Sequence, residues 1–188
     1  MAKFQTIGAS EINAAIERLA AAISERHSRT PKLLLLGVAN GGVELARRLA
    51  AEVVKRSPER LAQAGVLDIS FHRDDIAEHP LPKEFSPTNI PADVQEATVI
   101  LVDDVISSGR TVKAALDELF DNGRPNKVEL AVLIDRGNRR LPISADYVGL
   151  SLSVDEREKV IVTLDRDNPK RDVIRFDPAP SNALNGSV

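Results

Sequence analysis

Residues 98–111 read Thr-Val-Ile-Leu-Val-Asp-Asp-Val-Ile-Ser-Ser-Gly-Arg-Thr, and no other stretch limits the possible folds as much. Five apolar or β-branched residues in a row suit a strand buried on both faces, as strands are in parallel sheets covered by helices. Val112, Ala115, Leu116 and Leu119 then recur at a period near 3.6, so a helix starts just after a small, hydroxyl-rich turn. Strand, turn and helix in this order predict an α/β fold with a site at the carboxyl end of the strand.

The turn has the chemistry of a phosphate site. Ser107, Ser108, Gly109, Arg110 and Thr111 offer backbone N–H groups, hydroxyls and the positive end of a helix to one phosphate, and Gly109 lets the backbone come close. Asp103 and Asp104 would repel that phosphate unless they accept hydrogen bonds from sugar hydroxyls or act through a cation. A ribose 5-phosphate with Mg²⁺ meets both needs. The plainer alternative is an acidic pair that caps the next helix or only holds a metal. The lysine-bearing P-loop pattern is absent, which argues against a nucleoside triphosphatase.

A second unit of the same kind lies upstream. Ser10 is placed to cap a helix carrying Ile12, Ile16, Leu19 and Ile23 on one face, and Thr30-Pro31 breaks the chain before the strand Leu33–Val38. Ala39, Asn40, Gly41 and Gly42 follow, then a helix with Val43, Ala46, Ala50 and Val53 inward and Arg47, Arg48 and Glu52 outward. Two adjacent glycines alone often mark no more than a tight βα connection; beside the acidic motif they read as a second phosphate-binding turn. Residues 66–71 alternate as a half-buried edge strand would, with Leu67, Ile69 and Phe71 against Asp68 and Ser70. Residues 77–92 hold four prolines and no period, which fits either a lid or an inert excursion; Arg73 at its base favours the lid. Residues 127–134, 146–149 and 159–164 read as further strands, with a charged loop from Asp135 to Ile143 between the first two.

Composition narrows the function classes. At 188 residues and 43% hydrophobic, the chain suffices for one domain with a sizeable core and is too short for two large ones. With no cysteine there is no disulfide framework, thiol nucleophile or cysteine zinc site, and His27, His72 and His79 lack metal-ligand spacing. The opening Met-Ala-Lys-Phe-Gln-Thr has no apolar signal region and no apolar run is long enough to span a membrane, so no membrane partner and a cytoplasmic location are expected. A net charge of −3 gives no global attraction to nucleic acid, although local basic patches remain open.

The string from Asp103 to Thr111 resembles the signature of the type I phosphoribosyltransferases. Val102-Asp103-Asp104-Val105, Gly109-Arg110-Thr111, Asp121-x-Gly123-Arg124-Pro125, Asp135-Arg136-Gly137, Leu141-Pro142-Ile143, Ala145-Asp146-Tyr147-Val148-Gly149 and Glu158-Lys159-Val160, with Arg73-Asp74-Asp75, are similar in order and spacing to the PyrR family. That family combines a pyrimidine-operon RNA attenuator with a uracil phosphoribosyltransferase, and the resemblance covers residues 5–176.

The resemblance implies a doubly wound, mainly parallel five-strand sheet with a small hood built from the N-terminal helix region and the segment after Asp135. It implies one domain over residues 1–176, while residues 177–188 have the composition of a disordered tail. Phosphoribosyl pyrophosphate (PRPP) would place its 5-phosphate on residues 107–111 and its ribose hydroxyls on the catalytic pair Asp103 and Asp104. Its pyrophosphate would lie on Ala39, Asn40, Gly41 and Gly42, with Arg73 closing over it. Mg²⁺ would bridge pyrophosphate and ribose, reached by Asp103 and Asp104 through ribose or water. The base, uracil or that of UMP, would be read by backbone near Lys159 and Val160 with Arg136 close by. Arg136, Arg139 and Arg140 in one loop, with Arg18, Arg26, His27 and Arg29, could form a basic surface in which Arg139 and Arg140 are candidates for an mRNA leader, the plainer alternative being solvated arginines, and a homodimer or larger assembly is expected. Three positions depart from the family: Asn40-Gly41 stand where a threonine-arginine pair is usual, Asn138 replaces a histidine, and Ser107 replaces an aromatic residue. These keep two alternatives open, a nucleotide-sensing RNA regulator with little catalysis and a purine-base phosphoribosyltransferase.

Overall fold

The computed structural model describes residues 6–59, 62–72 and 87–178. A short strand, β1 (Thr6–Gly8), runs straight into helix α1 (Ala9–Arg26); β2 (Leu33–Val38), α2 (Gly42–Arg56) and β3 (Ala62–Leu67) follow. After them come β4 (Thr98–Ile106), α3 (Arg110–Asp121), β5 (Lys127–Asp135), β6 (Tyr147–Ser151), β7 (Lys159–Thr163), a 3-10 turn (Pro169–Arg171) and β8 (Val173–Asp177). Five strands form one parallel sheet in the order β3-β2-β4-β5-β6. The chain moves from β2 outward to β3, then returns to the other side of β2 and moves through β4 and β5 to β6. This reversal between β2 and β4 is a topological switch point, where the loops leaving two adjacent strands diverge and open a crevice at the carboxyl edge.

The apolar runs in β2, β4 and β5 have a physical reason: these strands are covered on both sides. Leu33, Leu35, Ile100, Val102, Ala131 and Leu133 pack against Ile12, Ile16, Leu19 and Ile23 of α1 and Leu45, Leu49 and Val53 of α2. On the opposite face Leu34, Leu36, Val99, Leu101, Leu130 and Val132 meet Val112, Ala115 and Leu119 of α3, with Val94 and Ala97. The expected doubly wound sheet is thus observed. The hood is a separate antiparallel sheet in the order β1-β8-β7, so its N-terminal part is β1, and α1 belongs to the layer on the main sheet. Among the described residues, no helix is long and apolar enough to cross a membrane.

Several local expectations are corrected. Ser10 is not the cap of α1: β1 holds the backbone extended up to Gly8, and the helix turns in there, one residue before Ala9, with no side-chain cap. The edge strand ends at Leu67, earlier than its alternation implied, because the Asp68 carboxylate accepts from Ser70 N (2.9 Å) and from the Ser70 hydroxyl, closing a local turn. Leu67 and Ile69 are buried as expected, but Asp68 and Ser70 are buried with them and Phe71 is 79% exposed, against the expected faces. Arg48, assigned outward, is buried. Asp177, placed in the tail, pairs with Lys159 in the hood sheet; residues 179–188 lie outside the described residues, as do residues 77–86 of the proline-rich segment.

At the amino ends of the strands, far from the crevice, a buried ionic cluster joins α1 to the sheet. Glu129 Oε2 lies 2.6 Å from His27 Nε2 and accepts from the Tyr147 hydroxyl at 2.7 Å, while Arg26 reaches Oε1 at 3.0 Å. Burial alone would push Glu129 up, but hydrogen bonds from Lys127, Tyr147 and His27 outweigh it and hold the carboxyl at about 2.

Candidate functional site

Residues 39–42 leave β2 and residues 107–111 follow β4, so the switch point puts the two turns named from the sequence on adjacent strands. Ala39 N donates to Leu67 O at 2.9 Å, which ties the first turn to the neighbouring strand, and the Ala39–Asn40 peptide is cis. Helix α2 then starts flush against β4. A Cβ on Gly42 would lie 1.9 Å from Val102 O, and one on Gly41 would lie 2.5 Å from the Asp104 carboxylate. The adjacent glycines are therefore required by close approach, which brings the first turn and the acidic pair into direct contact.

Asp103 is buried and its Oδ1 accepts from Asp104 N at 3.0 Å. Burial drives the Asp103 carboxyl well above the usual carboxylate range and the charge of Asp104 adds to this; burial likewise raises Asp104. Two carboxyls in this state favour a cation or hydroxyl donors arriving from a ligand. Among the described residues, no group of three or more His, Cys, Asp or Glu is placed to hold a metal ion.

In the second turn Gly109 has φ +92°, a left-handed conformation that L side chains resist, and α3 begins at the next residue. Arg110 and Thr111 occupy its first turn and are exposed. The 135–143 loop lies against this turn: Arg140 N and Leu141 N both donate to Ser108 O, at 3.0 and 3.1 Å. A cavity of about 310 Å³ beside it is lined by Ser107, Ser108, Arg110, Asn138, Arg140 and Glu156.

The structure thus brings Ala39, Asn40, Gly41, Gly42, Asp103, Asp104 and residues 107–111 to one crevice. Arg136 bridges to the hood, donating to Glu158 O (2.9 Å) and Asp155 O (2.7 Å), just ahead of Lys159 and Val160 in β7. Arg139 points inward to backbone carbonyls of its own loop and to Ser107 O, and Arg140 lines the cavity. Arg73 lies outside the described residues; the chain is described up to His72, whose Nε2 is 3.2 Å from Glu118.

One group at the site's margin escaped the reading of the sequence. Arg48 of α2 forms a two-pronged ion pair with the fully buried Asp172 carboxylate and donates to Asp165 O at 2.6 Å, binding the helix after the glycine turn to the hood. Glu44 meets it at i,i−4. Its position three residues after Leu45, on the apolar arc of α2, was the available signal.

A family model, the phosphoribosyl transferase domain, matches residues 8–167. Among curated relatives, the bifunctional protein PyrR of Corynebacterium efficiens is 43% identical over 175 residues, covering 90% of either chain. The bifunctional protein PyrR of Streptomyces coelicolor is 46% identical over 172 residues, covering 91% of this chain and 88% of the other. The chain belongs to the PyrR family of phosphoribosyltransferases. Among solved structures, the hypoxanthine phosphoribosyltransferase of Trypanosoma cruzi in complex with its product IMP superposes with a TM-score of 0.66 at 19% identity, covering 94% of this chain and 91% of that one. That likeness speaks for the fold, and it agrees with the five-strand sheet and its crevice. As a member of the PyrR family the chain is a PRPP-dependent phosphoribosyltransferase.

Proposed function

We propose that this chain transfers the phosphoribosyl group of PRPP to uracil, giving UMP and pyrophosphate, at the crevice between β2 and β4. The observation that carries the reading is the contact of Gly41 and Gly42 with Val102 and Asp104, which sets a pyrophosphate turn directly beside carboxylates suited to ribose hydroxyls. Residues 107–111 would hold the 5-phosphate by backbone N–H groups and the end of α3, fixing the ribose at a point remote from the bond that breaks. Asp103 and Asp104 would accept from the ribose hydroxyls and favour the positive charge that builds on the sugar as the bond from its anomeric carbon to pyrophosphate opens. The base nitrogen then bonds to that carbon, so no side-chain nucleophile is needed.

The donor set fits Mg²⁺, which takes one or two carboxylates and draws its remaining ligands from water and phosphate oxygens. Asp103 and Asp104 would hold it through ribose or water, and the ion would neutralise charge on the departing pyrophosphate. Arg136, joined to Asp155 O and Glu158 O, would keep the backbone before Lys159 and Val160 over the base. The working form is a homodimer or larger assembly in the cytoplasm.

A regulator that binds RNA and turns over little is the second reading, favoured by Asn40-Gly41, which bring no cation to the pyrophosphate turn. Against it, most of the basic residues considered for RNA have partners within the chain: Arg18 with Gly149 O, Arg26 with Glu129, and Arg136 and Arg139 with backbone carbonyls. Rates of nucleotide formation from PRPP and Mg²⁺ with uracil, guanine, hypoxanthine and xanthine test the proposal. Uracil is expected to be used best. A purine used faster would transfer the activity to the purine reading, and no turnover with any base alongside tight leader-RNA binding would leave the regulator.

A further inference from the structure

The 135–143 loop grips the phosphate turn by its carbonyls. Ile106 O accepts from Arg136 N at 3.2 Å, Ser107 O from Arg139 Nη1 at 2.8 Å, and Ser108 O from Arg140 N and Leu141 N. Three successive carbonyls, the last of β4 and the first two of the turn, are thus taken by one loop. These peptides are trans, and in a trans peptide the C=O and the following N–H point in opposite directions. Fixing the three oxygens on the loop side therefore turns the N–H groups of Ser107, Ser108 and Gly109 away from the loop, as a concave backbone anion site requires.

Two of these restraints are backbone bonds, which any residue would make. The middle one depends on a side chain. Arg139 is held for it on every edge of its guanidinium: Nε donates to Ile143 O at 2.9 Å, Nη1 also to Gly137 O at 3.1 Å, and Nη2 to Asp135 Oδ2 at 2.6 Å. Asp135 is itself set by Gly137 N, which donates to its Oδ1 at 2.9 Å, and Gly137 and Asn138 both take positive φ so that the loop turns back on itself. Only a planar fork with five donors satisfies acceptors in so many directions at once; an ammonium on a flexible stem does not.

We propose that Arg139 is a positioning residue for the 5-phosphate group, acting through Ser107 O to aim the amides of the phosphate turn, rather than a contact for RNA. Its ligand class is a 5-phosphorylated ribosyl compound, PRPP on one side of the reaction and the nucleoside monophosphate on the other. The inference rests on the transferase reading above and adds a residue that does not touch the ligand. It also separates the neighbours Arg139 and Arg140, since only the second lines the open cavity.

The test compares two ligands that share the enzyme but differ in the group at issue. Calorimetric binding of UMP and of Mg²⁺-pyrophosphate is measured for the full chain, Arg139→Gln and Arg139→Lys, with steady-state constants for PRPP. In Arg139→Gln the UMP dissociation constant and KM for PRPP are expected to rise about tenfold, the loss of one well-aimed charged contact. Pyrophosphate affinity and kcat should stay within about twofold, because general loosening of the crevice would move all of them and a remote group bound equally in ground and transition states moves KM alone. Arg139→Lys should fall between, and it decides the matter if the Gln variant does not fold. UMP affinity unchanged in both variants, or UMP and pyrophosphate affinities falling together, would overturn the proposal. So would loss of leader-RNA binding with UMP binding intact. Failure of the wild-type chain to turn over any base with PRPP would count against the transferase reading, whereas the contrast between UMP and pyrophosphate would still judge Arg139.

Discussion

Alanine at Gly41 and alanine at Gly42 should separate the site from the fold, although the residues are adjacent. At Gly42 the added methyl would lie 1.9 Å from Val102 O and 2.8 Å from its carbon, both backbone atoms of a central strand. Comfortable carbon–oxygen contact needs about 3.3 Å, so the amino end of α2 must retreat from β4 by more than roughly 1 Å. Overpacking of this kind typically costs about 1–3 kcal/mol, and with backbone on both sides the upper end applies. For a domain of this size, about 3 kcal/mol lowers the melting temperature by roughly 6–12 °C. At Gly41 the atoms nearest the methyl are those of the Asp104 carboxylate, at 2.5 and 2.6 Å, and that side chain can turn aside for about 1 kcal/mol. Gly41→Ala should therefore melt within about 4 °C of wild type yet lose roughly tenfold to a hundredfold in kcat/KM for PRPP, as displacement of a catalytic group by about 1 Å does. Differential scanning fluorimetry and initial rates at varied PRPP read the two effects separately. A wild-type melt for Gly42→Ala, or unaltered kcat/KM in Gly41→Ala, would refute the packing of the glycine turn on the acidic strand end.

Three further outcomes follow from the buried charges. Asp103, whose folded carboxyl is raised, costs the ligand-free fold stability as pH climbs from about 3.8 through its folded pKa, so Asp103→Asn should melt higher than wild type at pH 7.5, lose that advantage near pH 4, and be almost inactive; a lower melt at pH 7.5 would contradict this. Glu129 behaves oppositely, since its lowered pKa supports the fold above the unfolded value of 4.5 and that support fades as pH falls toward about 2; Glu129→Gln should flatten the acid limb of the stability curve there, and an unchanged limb would refute it. Arg48→Met leaves the Asp172 carboxylate buried without its partner, a loss of about 3–5 kcal/mol and on the order of 10 °C in melting temperature, and urea unfolding that matches wild type would show the strut to be idle.

Signals that act over a few neighbouring residues were legible in the chain alone. The run from Thr98 to Val102 announced a strand covered on both faces, the period from Val112 to Leu119 announced α3, and the glycine at residue 109 announced a turn between them where the backbone comes close; its positive φ was seen only in the fold. The short strands β1 and β8 were missed because three to five residues paired at a hood's edge carry no period of their own. Arg48 looked like an outward cation because its partner, Asp172, stands 124 residues away, and nothing local reveals which distant carboxylate will desolvate with it. Arg139 looked like free charge because backbone carbonyls carry no side-chain signal by which a sequence could mark them as its acceptors. Local propensity and pattern chose the chemistry of each turn; the order β3-β2-β4 decided that the glycine turn and the acidic pair would meet, because only packing of the sheet can bring Gly41 against Asp104.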